Sequence, residues 1–404
     1  MCPMRHKFII NTLSLLSIKG VDFLVPLIVF PILINKLGFS EFGFISLGFA
    51  FSMYFIAIFQ YGNNLVAVKY IASEINKAKH SSYVINVLCS QVILFFVSFI
   101  LVYLSTLNEA LHEYNKLFLL SVSYALAEAL IPTWLYQGKE KMKALGGVGV
   151  ISKLCLLAYL SFLMPESSSY IEVFLAFIIS SLFSALFLFY YGYKSSWYNF
   201  KLPSLSGIFN YYKNGVQAFV VQFTPTLYTS SIVLVLGFYT TNEIVGIFSA
   251  AQKFVNISLS FLLIIFNVAY PYLIKNRDKE NFFSYRYIVL SALLCIGSVL
   301  VLPYLTRLII NESVEEINFN IAFLAPMILF FGIRVAYGQL HCYLNRKEKQ
   351  YSYIVTIGSL TGLFCSVFII KEYGSNGAII LMNLVNFIMA SLVIFYKFQR
   401  KENI

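Results

Sequence analysis

From Ser81 to Asn108 the chain carries no charged residue, and the same holds from Asn214 to Asn242. The hydrocarbon core of a bilayer, about 30 Å thick, is crossed by roughly 20 apolar residues in a helix. Both blocks are long enough to span it with room for tilt. A soluble domain carries about 25% charged residues. This chain of 404 residues carries 12%, against 59% hydrophobic, and its mean hydropathy is +0.78. Too little polar surface remains to face water.

Charges and turn residues divide the chain into twelve apolar spans: 8–35, 42–68, 83–105, 116–137, 145–164, 170–193, 215–238, 244–274, 287–309, 318–343, 352–370 and 377–396. As helices, these spans satisfy their own backbone hydrogen bonds in lipid. The alternating pattern of a membrane β-barrel is absent. The expected fold class is an all-α polytopic membrane protein with 12 transmembrane helices. Arg5 and Lys7 precede the first apolar stretch, as in a signal peptide, but that stretch runs on to Ile34. An h-region is much shorter, so the stretch is read as a retained first helix.

Lys and Arg mark the cytoplasmic side of a multi-pass protein. Here they cluster at the N-terminus, in alternate turns such as Lys139-Glu140-Lys141 and Arg346-Lys347-Glu348-Lys349, and in the tail. The opposite turns hold only Lys36, Lys116, Arg307 and Lys371. Both termini are therefore expected in the cytoplasm, with an even number of spans. The net charge of +11 does not point to nucleic acid, because its lysines and arginines serve as short topology clusters. Six cysteines and four histidines are scattered without ligand spacing, so no metal site and no cofactor is expected. No loop is long enough to hold a catalytic domain, and no G-x-x-x-x-G-K-[ST] phosphate loop occurs.

The chain repeats itself weakly. Leu37-Gly38-Phe39 precedes Glu41 and Gly43; Leu236-Gly237-Phe238 precedes Glu243 and Gly246. Lys139-Glu140-Lys141 follows the fourth span and Lys347-Glu348-Lys349 the tenth, 208 residues later. A half-length near 200 with six spans per half describes two parallel six-helix halves, related by a pseudo-twofold along the membrane normal. The expected lobes are 1–200 and 201–404.

Three stretches carry a family resemblance. They are Pro26 to Gly43, Pro132 to Lys143 (Pro-Thr-Trp-Leu-Tyr-Gln-Gly-Lys-Glu-Lys-Met-Lys) and Val245 to Lys253 (Val-Gly-Ile-Phe-Ser-Ala-Ala-Gln-Lys). With the 6+6 layout they resemble bacterial polysaccharide flippases, the Wzx-type O-antigen translocases of the multidrug/oligosaccharidyl-lipid/polysaccharide exporter superfamily. The resemblance implies a bacterial inner-membrane protein, a V-shaped two-lobed molecule with a central cationic cavity, and alternating access. It implies as substrate an undecaprenyl-pyrophosphate-linked oligosaccharide, moved from the cytoplasmic to the periplasmic leaflet. Membrane lipids and O-antigen assembly proteins would be its other partners.

Ionisable residues inside spans are costly unless paired or wetted. They are Lys19 and Asp22 in the first span, Glu128 in the fourth, Lys153 in the fifth, Lys253 in the eighth and Arg334 in the tenth. Lys19, Lys153, Lys253 and Arg334 are candidates for binding a pyrophosphate, which arginine grips bidentately and lysine as a point charge. Structural pairing is the competing reading: Lys19 and Asp22 share a helix face, Glu128 could bridge to Lys153, and Lys153 could snorkel to the interface. A lone carboxyl in low dielectric favours its neutral form and exchanges protons, so Asp22 and Glu128 are candidates for ion coupling. Pro26, Pro31, Pro132, Pro225, Pro271 and Pro326 lie inside spans as kinks or hinges. Tyr61, Trp134, Tyr136 and Tyr270, near span ends, are read as interfacial belt residues.

Three other functions fit the sequence less well. A multidrug cation exporter of the same superfamily would want an acidic cavity, whereas the intramembrane balance here is positive. An O-antigen polymerase or membrane acyltransferase would want a large periplasmic loop with basic catalytic residues, and the loops on that side are short and acidic. A channel would need several copies around a pore, which the internal repeat makes unnecessary. The chain is read as a transporter and not an enzyme.

Overall fold

In a computed structural model the backbone is described for residues 3–399 apart from 75, 166 and 167, and side chains for 28–397 apart from 75, 110, 166, 167, 271 and 275. Lys19 and Asp22 therefore lie outside the described side chains. The helices are α1 (Pro3–Gln60), α2 (Val66–Ser73), α3 (Lys77–Ser105), α4 (Asn115–Ala129), α5 (Thr133–Gly138), α6 (Met142–Ala158), α7 (Tyr170–Lys194), α8 (Leu205–Tyr239), α9 (Asn242–Lys275), α10 (Glu280–Ile309), α11 (Val314–Leu324), α12 (Pro326–Ile333), α13 (His341–Leu344) and α14 (Glu348–Gln399). A π-helical turn, Tyr159–Leu163, extends α6, and another, Arg334–Leu340, joins α12 to α13.

Ten helical stretches among the described residues are long and apolar enough to cross a membrane. Two long helices are each two joined at a glycine. In α1 the break is Gly38 (φ 78°, ψ 171°), and in α14 it is Gly374 (φ 54°, ψ −130°). A side chain at either would be strained by its positive φ. Expected spans 1 and 2 thus share α1, and spans 11 and 12 share α14. The second span stops at Gln60 rather than at 68, because Tyr61 and Gly62 turn the chain with positive φ. The fourth span is likewise broken: Pro132 (φ −81°, ψ 55°) separates α4 from α5. Pro225 and Pro271, by contrast, sit in uninterrupted helix.

The chain folds into two compact units. Unit 1 comprises Met1–Val25 with Leu47–Thr226, and unit 2 Pro26–Ser46 with Leu227–Ile404. In unit 1, α4 and α6 both pack on α7, and α3 on α4. The core at one end collects Trp134, Tyr136, Tyr198 and Tyr211. Trp134 and Tyr136, expected in an interfacial belt, are instead fully buried. The break at Pro132 turns α5 inward, and the Tyr136 hydroxyl donates to the Leu188 carbonyl at 2.6 Å. Burial in the α5–α6 turn holds the Lys139 ammonium below the usual lysine range.

In unit 2, α10 packs on α11 and α12, and α9 on α11. The segment Pro26–Ser46 is tied into this unit. The Asn35 amide donates to the Ile309 carbonyl at 2.7 Å and its oxygen accepts from the Asn311 amide at 3.2 Å. Gly43 lies against the start of α9. A Cβ at Gly43 would collide with the Asn242 carbonyl, and one at Gly246 would stand 3.2 Å from the Gly43 nitrogen. Two glycines matched in the sequence repeat thus make a backbone-to-backbone crossing.

A second internal correspondence lies in the turns. After α5, Lys141 N donates to Tyr136 O (2.9 Å) and Glu140 N to Gln137 O (3.0 Å); after α13, Lys347 N donates to Cys342 O (2.7 Å) and Arg346 N to Tyr343 O (3.4 Å). Both are Schellman caps. Their left-handed residues are Glu140 (φ 54°) and Arg346 (φ 56°). The matching positions differ by 206 residues throughout, two fewer than the Lys-Glu-Lys alignment gives.

The outer helix faces suit lipid. On α10, Leu293, Leu300, Tyr304 and Leu308 are all exposed. Several polar side chains within the spans turn back onto their own helices: Ser90, Ser121 and Thr224 each donate to the carbonyl four residues earlier.

Candidate functional site

Arg334 opens the π-helical turn of unit 2. A π turn adds a residue to the helical register and recurs at functional sites. Here it carries the guanidinium into the core, where Arg334 is only 9% exposed. Its Nη1 donates to the Met389 sulfur at 3.0 Å, it hydrogen-bonds the Tyr228 hydroxyl, and it lies 5.0 Å from the centre of the Phe331 ring. Tyr287 and Tyr351 complete its electrostatic surroundings. Nε has no hydrogen-bond partner, and among the described residues no carboxylate pairs with the group. A thioether and a phenol are weak acceptors for a cation. A buried charge is normally paired, because an uncompensated one costs several kcal/mol. The charge of Arg334 is therefore held among groups that do not neutralise it.

Lys253 is the second cation of unit 2. It is half-buried on α9, with its ammonium 4.4 Å from the centre of the Phe30 ring. Phe30 belongs to the part of α1 that packs in this unit. A ring face holds a cation without neutralising it. α9 packs on α12 and on the π-helical turn that carries Arg334. Both cations are thus on packed elements of one unit.

Unit 1 holds Glu128 and Lys153. The Glu128 carboxylate accepts a 2.9 Å hydrogen bond from the Ser181 hydroxyl of α7, with Tyr124 beside it. Lys153 is half-buried on α6. Of the six intramembrane charges read from the sequence, Lys253 and Arg334 belong to unit 2 and the other four to unit 1, where the side chains of Lys19 and Asp22 lie outside the described ones.

Unit 2 also has a cavity of about 700 Å³ lined by Glu243, Glu315, Glu316, Asn320 and Asn376 among others. Its acidic lining repels phosphate, and neither Arg334 nor Lys253 lines it. The sequence reading missed the shell around Arg334. Tyr228 sits inside the 215–238 span, away from the ends where a belt would place it, and that position was the available signal; Tyr351 lies just before the 352–370 span and reads as a belt residue.

A family model described as "Polysaccharide biosynthesis protein" matches residues 8–277. Two curated relatives, each named "Putative O-antigen transporter", are 26% identical to this chain. That of Escherichia coli aligns over 96% of this chain and 95% of its own length; that of Shigella dysenteriae aligns over 92% and 95%. Among solved structures, the lipid II flippase MurJ in an inward closed conformation superposes with a TM-score of 0.78 at 13% identity, over 96% of this chain and 87% of that one. An inward-facing multidrug resistance MATE family transporter of the MOP superfamily gives 0.76 at 14% identity, over 96% and 98%. At such identities the structural likeness speaks to the fold alone.

Proposed function

Because the chain belongs to the polysaccharide biosynthesis protein family, we propose that it is a flippase. It carries a polyprenyl-pyrophosphate-linked oligosaccharide, an O-antigen repeat unit, from the cytoplasmic to the periplasmic leaflet of the bacterial inner membrane. The observation that carries this reading is the buried Arg334 guanidinium with its free Nε and no carboxylate partner among the described residues. A pyrophosphate supplies the missing acceptors and charge at once, and hydrogen bonds to a charged group are about twice as strong as neutral ones. Lys253 adds a point charge, and Lys153 and Lys19 are further candidates for contact with the pyrophosphate. The names of the two curated relatives support the same substrate class.

In this reading twelve spans form two six-helix lobes, 1–200 and 201–404, with both termini in the cytoplasm. The paired Schellman caps and the Gly43–Gly246 crossing support the repeat. Alternating access moves the headgroup, and Glu128 or Asp22 couples the cycle to an ion gradient. The chain acts as a carrier and performs no covalent chemistry.

The test is made in cells that build a surface polysaccharide through this chain. Deleting the gene should accumulate the lipid-linked oligosaccharide with its sugars facing the cytoplasm, and restoring the gene should clear it. Sugars accumulating on the periplasmic face instead would assign the chain to a later step, such as polymerisation.

A further inference from the structure

The segment joining α7 to α8 has no part in the site above, and its construction is unusual. It is held in place along its length. Asn199 N donates to Ser81 Oγ at 2.8 Å, the Lys201 ammonium to the Ala78 carbonyl at 3.3 Å, and Ser204 N to Asn86 Oδ1 at 3.0 Å. Tyr198 is buried, and its hydroxyl donates to the Phe189 carbonyl at 2.7 Å. The start of α8 is fixed in turn: Ile208 and Tyr211 are buried, and Tyr212 donates to the Ser90 carbonyl at 3.0 Å.

A segment so fixed presents its outward side chains by design of the fold. They are apolar: Phe200 is 74% exposed, Leu202 92%, Leu205 87% and Phe209 68%. Leu205 and Phe209 are four apart on one helix face. Lys77, Lys194 and Lys201, all exposed, lie on the elements that the segment joins and crosses. The segment's two backbone anchors, Asn199 N on Ser81 and Ser204 N on Asn86, lie five residues apart along α3, about 7.5 Å of helix rise. The headgroup region on each side of a bilayer is roughly 5–8 Å deep. That rise matches the depth of the headgroups, so a segment that starts at the level of the basic residues would bring Leu202 and Leu205 to the top of the acyl chains. A belt of lysines over leucine and phenylalanine is the pattern of an interfacial anchor on an anionic leaflet.

We propose that residues 195–209 form an interfacial anchor that binds anionic phospholipids of the bulk membrane. Phe200, Leu202, Leu205 and Phe209 insert among the acyl chains while Lys77, Lys194 and Lys201 hold the phosphates. Charge complementarity selects the occupant: the three lysines suit phosphate, and the apolar strip ends where acyl chains begin.

The wild-type chain, reconstituted in vesicles without any polyprenyl lipid, should crosslink through residues 195–209 to photoactivatable phosphatidylglycerol. Crosslinking to the phosphatidylcholine analogue should be weaker by roughly fivefold for each lysine engaged. The variant Lys77→Gln/Lys194→Gln/Lys201→Gln should erase that preference but keep the crosslinks, since the apolar insertion remains. As an independent measure, a spin label at Leu202→Cys in a cysteine-free chain should be more accessible to oxygen than to a water-soluble nickel chelate. A label that meets the chelate as freely as a soluble loop does, with no lipid crosslink at 195–209, overturns the proposal and leaves the strip to a protein partner. An equal yield from both lipids overturns the anionic preference.

Discussion

The Arg334 guanidinium donates to the Met389 sulfur at 3.0 Å while its Nε stays without a partner in the core of unit 2. The charge is held in position by groups too weak to neutralise it. Removing it should therefore affect transport more than folding. Arg334→Ala should reach the membrane in normal amount yet lose surface polysaccharide by about 10- to 150-fold, the equivalent of about 1.5–3 kcal/mol for charged hydrogen bonds. Arg334→Lys keeps the charge without the planar fork and should retain part of the function. Quantifying surface polysaccharide beside the membrane level of each variant separates a transport defect from a folding one. Full activity in Arg334→Ala removes the residue from the substrate path.

Lys253 faces the Phe30 ring at 4.4 Å. Lys253→Gln should lower transport, and Lys253→Arg should retain it. Phe30→Leu, which keeps the bulk but removes the ring face, should have a milder effect than Lys253→Gln, because a cation–π contact contributes about 0.5–2 kcal/mol. The ordering of the three variants in the same polysaccharide measurement is the check. Equal loss in all three would mean that packing, not charge, matters there.

Gly43 and Gly246 cross with their backbones in contact. Gly43→Ala forces a methyl group into the Asn242 carbonyl and cannot be absorbed by a flexible side chain. Overpacking of this kind costs about 1–3 kcal/mol. Thermal unfolding of the purified protein in detergent should begin at a lower temperature in Gly43→Ala than in Gly297→Ala, where a Cβ meets nothing within 4 Å. Equal melting in the two variants would show that the crossing is not held tightly.

Glu128 accepts from Ser181 at 2.9 Å, and Asp22 is its alternative as the coupling group. Glu128→Gln and Asp22→Asn fix the neutral state without changing shape. The coupling variant should still bind substrate but lose the response of transport to an imposed pH gradient in vesicles. If both variants keep the full response, the driving ion acts elsewhere.

Much of this architecture is legible in the sequence because lipid imposes it. Uncharged runs such as 81–108 read as spanning helices, and such helices are what the structure has. The match of Gly43 with Gly246 was visible, though their crossing was not, since contact between distant helices leaves no local periodicity. Alignment on Lys-Glu-Lys gave an offset of 208, whereas the hydrogen bonds of the caps give 206. Side-chain identity slips in a turn, but the carbonyls that must be capped do not. Trp134 and Tyr136 misled the belt reading because the bend at Pro132 rotates them inward. Arg334 was found by its charge, but its shell of Met389, Tyr228, Tyr287 and Tyr351 comes from three other helices and has no common spacing.

The most direct measurement is made with purified protein in vesicles that hold a fluorescent polyprenyl-pyrophosphate-linked oligosaccharide. A membrane-impermeant quencher reads the fraction of headgroups in the outer leaflet over time. Wild-type protein should bring the inner-leaflet pool within reach of the quencher, while Arg334→Ala and protein-free vesicles should leave about half of it protected. If the wild-type protein leaves that half protected as well, under an imposed ion gradient or without one, the chain is not a flippase for this class of lipid.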